Sequence, residues 1–301
     1  MYELIQLAEN SFYMDCPAKV GFFRISPEEV VIIDSGSDKD AGKKVKKILD
    51  AQGWKLQAIF NTHSHADHIG GNQYLQTQTG CRIYAPGLEC SFTNDPILEP
   101  TALYGGYACG DLHNKFLMAK ESKAEPLTED VLPQGLEIIR LPGHSYDMVG
   151  FRTSDDVVFL ADCLSSAETL EKYKISYLYD VKSYLETLAM VKALKAKAFV
   201  PAHAPQTEDI APLAQLNIEK TEEVISGILN MLTVSKSFED LLTEVFDTYG
   251  MTMNLTQNVL IGSTLRSYLS CLKDAGQADF FFENNRMLWS RKRSEIPEVT
   301  L

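Results

Sequence analysis

Three histidines and an aspartate stand close together in the run from Thr62 to His68, which reads THSHADH. Side chains of these types crowd one another in an apolar core, because each one needs a polar partner when it is buried. Imidazole and carboxylate groups do have an established chemical use as ligands of metal ions. The run therefore predicts a metal site, and a solvated histidine-rich loop is the alternative.

The residues on either side of this run indicate how its side chains would be positioned. Residues 56–61 form a short, mostly apolar stretch that suits a buried strand. Side chains two apart on an extended chain point the same way, so His63 and His65 are expected to converge at the end of that strand. Asp67 and His68 open a predicted helix over 68–75, and an aspartate in a first helical turn is favourable even without a metal.

Three more apolar stretches end at a residue that can bind a metal. Each candidate follows the carboxyl end of a predicted strand, which is where open α/β sheets place their sites. A lone residue of this kind is more often a turn or capping residue, but the repetition favours ligands. The candidates are His144 after strand 136–141, Asp162 after strand 157–161 and His203 after strand 198–202.

With these residues the chain resembles the metallo-β-lactamase-fold hydrolase superfamily, and within it the glyoxalase II-like branch that binds two metals. That branch has a His-x-His-x-Asp-His motif followed by a Gly-His turn, a strand-end aspartate and a final histidine, and the match covers about residues 20–205. The resemblance implies two metal sites and a hydroxide that bridges them and attacks the substrate. It assigns one metal to His63, His65 and His144, the second to Asp67, His68 and His203, and Asp162 to both.

Two further roles follow from the same resemblance. Asp67 would be the catalytic residue that orients the hydroxide. Asp34, after the predicted strand 31–33, would steady the ligand loop or serve as a simple turn residue.

The chain also departs from the family pattern. The family usually has threonine after the Gly-His turn and glycine two residues later, where this chain has Ser145 and Asp147. Ala202 and Ala204 flank the last histidine in place of glycines. A glutamate at position 65 would resemble the diiron flavoproteins that reduce oxygen or nitric oxide, so His65 favours hydrolysis.

The expected ligands determine the metals and reactions that we consider. The resemblance implies two divalent cations, with zinc expected first. Because no thiolate is among the ligands, their nitrogen and oxygen donors also admit iron and manganese. Protonation of the imidazoles should abolish binding below about pH 6.5. The leading function is hydrolysis of a small ester, thioester or lactone. The alternatives are a phosphodiesterase or single-strand endoribonuclease of the same superfamily, and a regulatory protein with a structural metal site.

The expected fold class is α/β, in two parts. The resemblance implies a four-layer αββα sandwich over residues 1–206. Residues 207–301 are predicted to form a smaller, mainly helical, winged-helix-like domain that supports a lid or makes a homodimer. Its helices are expected near 213–233, 237–249 and 255–275, followed by a hairpin that turns at Asn284-Asn285.

Residues 94–127 read as irregular and rich in glycine and proline. Long loops within a domain are often functional. This segment is therefore expected to cover the metals, with Tyr104, Tyr107 and Phe116 as substrate contacts.

The charge, the cysteines and the hydropathy of the chain indicate which partners and which cellular compartment to expect. The 301 residues carry a formal charge of −13, which disfavours nucleic acid and leaves a small molecule as the expected substrate. The one basic cluster comprises Arg286, Arg291, Lys292 and Arg293. The six cysteines are scattered without a C-x-x-C pair, and no early apolar run suits a signal peptide or membrane span. A cytoplasmic protein without a membrane segment is expected.

Overall fold

The chain builds two β-sheets that face each other through apolar side chains. The computed structural model describes residues 2–292. Its first sheet has seven strands in sequential order, antiparallel from β1 to β4 and parallel from β4 to β7. These strands are β1 Glu3–Gln6, β2 Ser11–Asp15, β3 Val20–Arg24, β4 Glu29–Ile33, β5 Lys55–Phe60, β6 Arg82–Ala85 and β7 Ala124–Pro126.

The second sheet has four strands in the order β11-β10-β9-β8. They are β8 Leu136–Arg140, β9 Val149–Thr153, β10 Val157–Ser165 and β11 Ala198–His203. β10 and β11 are parallel, so the chain must cross over between them. The crossover contains helices α6 Ala167–Tyr173 and α7 Val181–Ala193.

Helices cover the outer face of each sheet. Between the sheets lies an apolar layer that includes Phe60, Phe151 and Phe159. α1 Lys39–Gln52 and α3 Asn72–Thr79 cover the first sheet, where Val45 and Leu75 are fully buried. α7 covers the second sheet, and each large apolar side chain buried in this way contributes about 1.5–3 kcal/mol. The predicted αββα sandwich is therefore confirmed.

The short helices between β5 and β7 differ from the sequence expectation. The predicted helix over 68–75 is wrong in detail, because α2 Ala66–Ile69 and α3 are separated at Gly70. A Cβ at Gly70 would lie 2.3 Å from the carbonyl carbon of Ser37, so a side chain has no room there. Residues 94–127 are not wholly irregular, since α5 Leu98–Tyr104 follows α4 Gly87–Asn94 and a 3-10 turn spans Gly110–Leu112.

The C-terminal part has three helices and a hairpin, close to the predicted bounds. They are α8 Ala211–Met231, α9 Phe238–Thr248, α10 Leu255–Asp274, β12 Ala278–Glu283 and β13 Arg286–Arg291. Asn284 and Asn285 both have positive φ, at 48° and 61°, which is the geometry of a type I′ hairpin turn. Arg293 of the basic cluster lies outside the described residues.

The C-terminal helices share the largest apolar core with the second sheet. Val224 and Ile228 of α8 and Leu265 of α10 belong to the same cluster as Leu188 of α7 and Val158 of β10. The division at residue 206 stays a prediction. No helix in the described part of the chain is long and apolar enough to span a membrane.

Candidate metal centre

The seven predicted ligands lie close to the carboxyl ends of strands, with Asp67 and His68 on the short helix α2 that follows β5, and they fall into two adjacent groups. His63 and His65 follow β5, and His144 follows β8, while His203 ends β11. Asp162 lies within β10 rather than after it, where the strand pairing shifts register. Candidate ligand atoms lie within 4.8 Å of one another in the group His63, His65 and His144 and in the group Asp67, His68, Asp162 and His203.

In the first group, three imidazole nitrogens point at one another. His63 Nε2 lies 3.0 Å from His65 Nδ1, which lies 3.1 Å from His144 Nε2. His144 Nδ1 donates to the Tyr177 carbonyl at 3.1 Å. The Thr62 hydroxyl donates to Asp34, so it accepts from His63 Nδ1 at 3.0 Å. The inner nitrogens of His63 and His144 therefore present lone pairs.

In the second group, too, the outer nitrogen of each histidine donates to an acceptor of the protein, and the inner nitrogen faces the other candidate ligands. His68 Nδ1 donates to Asp34 Oδ2 at 2.8 Å, and His203 Nδ1 donates to the Pro17 carbonyl at 2.7 Å. Inside, His68 Nε2 faces Asp162 Oδ1 at 3.0 Å, and His203 Nε2 faces Asp162 Oδ2 at 3.1 Å. His68 Nε2 and Asp162 Oδ1 are fully buried and have no hydrogen-bond partner among residues 2–292.

These contacts fit divalent cations. Lone pairs that face one another repel unless a positive charge lies between them. Ligand nitrogens about 2.0–2.1 Å from a tetrahedral zinc ion are about 3.3 Å apart, close to the separations in the first group. In the second group, imidazoles and carboxylates mix nitrogen and oxygen donors that suit zinc, iron or manganese. The chain thus offers two adjacent sites for divalent metal ions.

Electrostatics differ between the two groups. Burial lowers the pKa of His65 and of His144 to about 4 and holds that of His63 well below its usual value. Burial alone would also lower the pKa of His203, but Asp162 and Asp67 raise it to about 10. The same opposition, dominated by Asp162 and Asp67, raises the pKa of His68 well above its usual value. The first group is therefore neutral at pH 7 before a cation binds, whereas the second holds protons.

Asp34 ties the ligand run to the end of β4. Its carboxylate accepts from the Thr62 amide, the Thr62 hydroxyl and His68 Nδ1, each at 2.8 Å. It adopts φ of 61°, an uncommon conformation that turns the carboxylate into the site. These contacts agree with the expectation that Asp34 steadies the ligand loop.

Glu89 was missed by sequence reasoning and joins the two ligand loops of the first group. One oxygen accepts from the Ser64 amide and hydroxyl, at 3.0 and 2.6 Å. The other accepts from the Ser145 hydroxyl at 2.6 Å and the Asp147 amide at 3.1 Å. Ser145, one of the departures from the family pattern, is therefore part of this buried network. Nothing local distinguishes Glu89 from a surface glutamate on α4.

Glu99 is a second buried carboxyl group that the sequence did not reveal. It lies on α5, 3.8 Å from His65 Nε2, the nitrogen that points away from the centre. Burial and the nearby Glu89 raise the pKa of Glu99 to about 8. Glu99 is therefore mostly protonated at neutral pH.

The expected substrate contacts in residues 94–127 are only partly placed at the centre. Phe116 lines an open groove beside Asp67 and His203. Tyr104 and Tyr107 are exposed and line none of the cavities found at the centre.

Comparison with known sequences finds the same family. The sequence profile of the metallo-beta-lactamase superfamily matches residues 14–203. A hydroxyacylglutathione hydrolase (glyoxalase II) from Nitrobacter winogradskyi is 27% identical over 133 residues, which are 43% of this chain and 42% of that protein. The chain matches less than half the length of this and similar curated relatives.

Solved structures share the fold at low sequence identity. A metallo-beta-lactamase family protein from Thermus thermophilus has a TM-score of 0.71 and 16% identity, covering 91% of this chain and 94% of that one. A beta-lactamase domain protein from Burkholderia ambifaria has a TM-score of 0.69 and 15% identity, covering 96% and 94%. Because these matches cover more than nine-tenths of the chain, the likeness includes part of the C-terminal helices.

Proposed function

Because the chain belongs to the metallo-beta-lactamase superfamily, we propose that it is a binuclear metal-dependent hydrolase of a small ester, thioester or lactone. The observation that carries this proposal is the convergence of histidine nitrogens and carboxylate oxygens on two adjacent points. The relatives named hydroxyacylglutathione hydrolase, an activity directed at an acyl group, support a carbonyl substrate. Zinc is the proposed metal.

Each residue has a proposed role. His63, His65 and His144 hold one cation, and Asp67, His68 and His203 hold the other. Asp162 faces both groups, with Oδ2 3.6 Å from His144 Nε2 and 3.1 Å from His203 Nε2, so it can bridge. When bound, the two cations supply a water activated for attack at neutral pH and polarise the scissile carbonyl.

Asp67 is the proposed catalytic residue. Its side chain is 43% exposed and borders the open groove, whereas the other carboxylate of the group, Asp162, is largely buried. His203 Nε2 lies 3.2 Å from Asp67 Oδ2, so both atoms can face the same cation. From there Asp67 can accept a hydrogen bond from the attacking water and orient it toward the substrate.

The phosphodiesterase alternative is weakened by the partners of the basic side chains. Lys273 lies 2.7 Å from Asp279, and Arg286 lies 3.2 Å from Asp240. Arg266 stacks on Phe238 with 3.8 Å to the ring centroid. These described side chains are engaged with neighbours instead of forming a free basic surface for a phosphate backbone.

The third alternative, a purely structural metal site, fits the ligand number less well. Structural zinc sites are usually closed by four protein ligands around one ion. Here seven candidate ligands form two groups, and the second borders a groove open to solvent.

A substrate panel tests the proposal. Protein loaded with zinc, iron or manganese would be assayed on thioesters, lactones, esters, phosphodiesters and single-stranded RNA, beside His63→Ala. We expect hydrolysis of one carbonyl class. Losing the residue that supports a metal ligand typically lowers activity by about 10–100-fold. His63→Ala removes a predicted ligand itself, so its activity should fall by more than that.

Two results would contradict this function. One is cleavage of RNA or phosphodiesters, but of no carbonyl substrate, that disappears in His63→Ala. The other is carbonyl hydrolysis at equal rates in both proteins, which would indicate a contaminating enzyme.

A further inference from the structure

Two cavities open onto the metal centre, and they differ in size and charge. The open groove on the Asp67 side has a volume of about 1050 Å³ and is bordered by charged side chains of both signs, which are Asp15, Lys19, Asp67, Glu168 and Lys172. A second pocket of about 210 Å³ is reached from His144, Asp162 and His203. Both cavities border His203, so a bound substrate can place one end in each.

The smaller pocket has a largely apolar wall. Ile175, Leu260 and Ile261 contribute aliphatic surface, and Tyr177 and Tyr184 contribute aromatic rings. Apart from the three residues of the metal centre, none of the described side chains that line it is charged. Away from the metal centre, a charged group placed there would lose hydration without gaining a described side chain of opposite charge, so the pocket fits an uncharged group.

Helix α10 forms one side of this pocket and is held firmly. Leu260 and Ile261 lie on α10, and the neighbouring Val259 is buried against Leu103 and Leu112 of the 94–127 segment. This region of the C-terminal part therefore lines the metal centre directly.

The wall opposite α10 is formed by residues 175–177, and hydrogen bonds hold it in place. The Leu178 amide donates to the Thr264 hydroxyl of α10 at 3.4 Å, and His144 Nδ1 donates to the Tyr177 carbonyl at 3.1 Å. The wall is thus connected both to α10 and to a predicted metal ligand, which gives the pocket a defined size.

We propose that this pocket binds the acyl group of the substrate and selects uncharged, mainly apolar acyl groups of about eight non-hydrogen atoms. An apolar cavity of about 150 Å³ accommodates benzene. Scaling that ligand to the volume of this pocket, about 210 Å³, gives about eight non-hydrogen atoms. The leaving group, larger or charged, lies in the open groove beside Lys19 and Lys172. This inference rests on the proposed carbonyl hydrolysis and specifies its substrate class.

Binding of product-like carboxylates tests the pocket without requiring turnover. Zinc-loaded protein would be titrated calorimetrically with acetate, butyrate, hexanoate, octanoate and decanoate, and with succinate as a charged analogue of butyrate. We expect affinity to rise by up to about fourfold per methylene as far as octanoate and then level off. Succinate should bind more weakly than butyrate, because its second carboxylate would enter the apolar pocket.

Three variants test whether the chain-length dependence of binding arises in this pocket. Ile261→Ala enlarges the pocket, so decanoate should bind more tightly than octanoate, whereas Ser176→Phe fills the pocket, so affinity should level off at butyrate. Ile228→Ala is the matched control, because Ile228 is 1% exposed in the same apolar core but does not line the pocket. The control should lose stability, but its affinity for the carboxylates should still rise as far as octanoate and then level off.

Equal affinities for acetate and octanoate, or the same shift in Ile228→Ala as in Ile261→Ala, would overturn the pocket assignment. These outcomes are separable from failure of the proposed function. Carbonyl hydrolysis with a flat chain-length profile refutes only the pocket. If Ile261→Ala changes the chain-length dependence of carboxylate binding but no carbonyl ester is hydrolysed, the proposed hydrolase function is refuted and the selectivity of the pocket is retained.

Discussion

Glu89 connects two loops that the sequence places far apart. Its two oxygens accept from four donors on Ser64, Ser145 and Asp147, and two of these donors are backbone amides that cannot reverse direction. The two loops carry His63 and His65 on one side and His144 on the other. Glu89 is thus a positioning residue for the first metal group rather than a ligand.

Replacing Glu89 should therefore weaken metal binding. Glu89→Gln presents an amide N–H to a donor on Ser64 or on the second loop, and removing such supporting partners typically costs about 10–100-fold in metal affinity. Competition with a chromophoric chelator would measure the loss, and thermal unfolding of the metal-free protein would report the structural cost. Glu222→Gln, at an exposed position on α8, is the control. Unchanged zinc affinity in Glu89→Gln would contradict this role.

The two metal groups should also differ in the protons they release. Because burial places the pKa of His65 and His144 near 4, these imidazoles are already neutral at pH 7, and binding there should release almost no protons. His203, with a pKa of about 10, and His68 hold protons at pH 7 that a second cation must displace. Affinity of the second group should rise with pH up to about 10.

Calorimetry in buffers of different ionisation enthalpy would count these protons. We expect almost no release for the first cation and a clear release for the second, from His68 and His203. The sequence expectation of metal loss below about pH 6.5 used the pKa of a free imidazole. Burial moves the loss for the first group to lower pH. Equal proton release in both steps would contradict the assignment of charge to the second group.

At the level of elements, local signals predicted most of what positions the ligands. α1 begins after Asp38, whose carboxylate accepts from the amides of Asp40 and Ala41, and it ends at Gly53 in the left-handed conformation. Both signals can be read in the sequence, where together they predict a helix that begins after Asp38 and ends before Gly53. The apolar runs before the ligands likewise predicted β5, β8, β10 and β11 to within a few residues.

Elements whose form depends on distant residues were not predictable in this way. The break between α2 and α3 depends on Ser35, whose amide and hydroxyl donate to the His68 carbonyl and whose hydroxyl accepts from the Gly71 amide. Glu89 and Glu99 lie on short helices whose sequences resemble solvated ones, and only the approach of the ligand loops makes them part of the centre. The bounds of α10 could be predicted, but its place along the small pocket could not, because that depends on packing across more than 80 residues.

At the scale of the whole molecule, one apolar core extends across the predicted domain boundary. Val158 and Leu188 of the sandwich are 0% exposed in the cluster that includes Val224, Ile228 and Leu265 of the C-terminal helices. Each such side chain contributes about 1.5–3 kcal/mol when buried, so uncovering several of them rivals a typical net stability of about 5–15 kcal/mol. The C-terminal helices therefore stabilise the sandwich, and α10 also lines the pocket beside the predicted metal ligands.

Cutting the chain at this boundary should show that dependence. We expect residues 1–206 alone to lack cooperative unfolding in urea, to bind a hydrophobic dye and to self-associate in size-exclusion chromatography, because the outer face of α7 would be exposed to water. Adding residues 207–301 as a separate polypeptide should restore part of the cooperative transition, whereas adding an unrelated helical peptide should not. A monomeric 1–206 fragment that unfolds in one transition and binds zinc like the full chain would contradict the shared core and would support two independent domains.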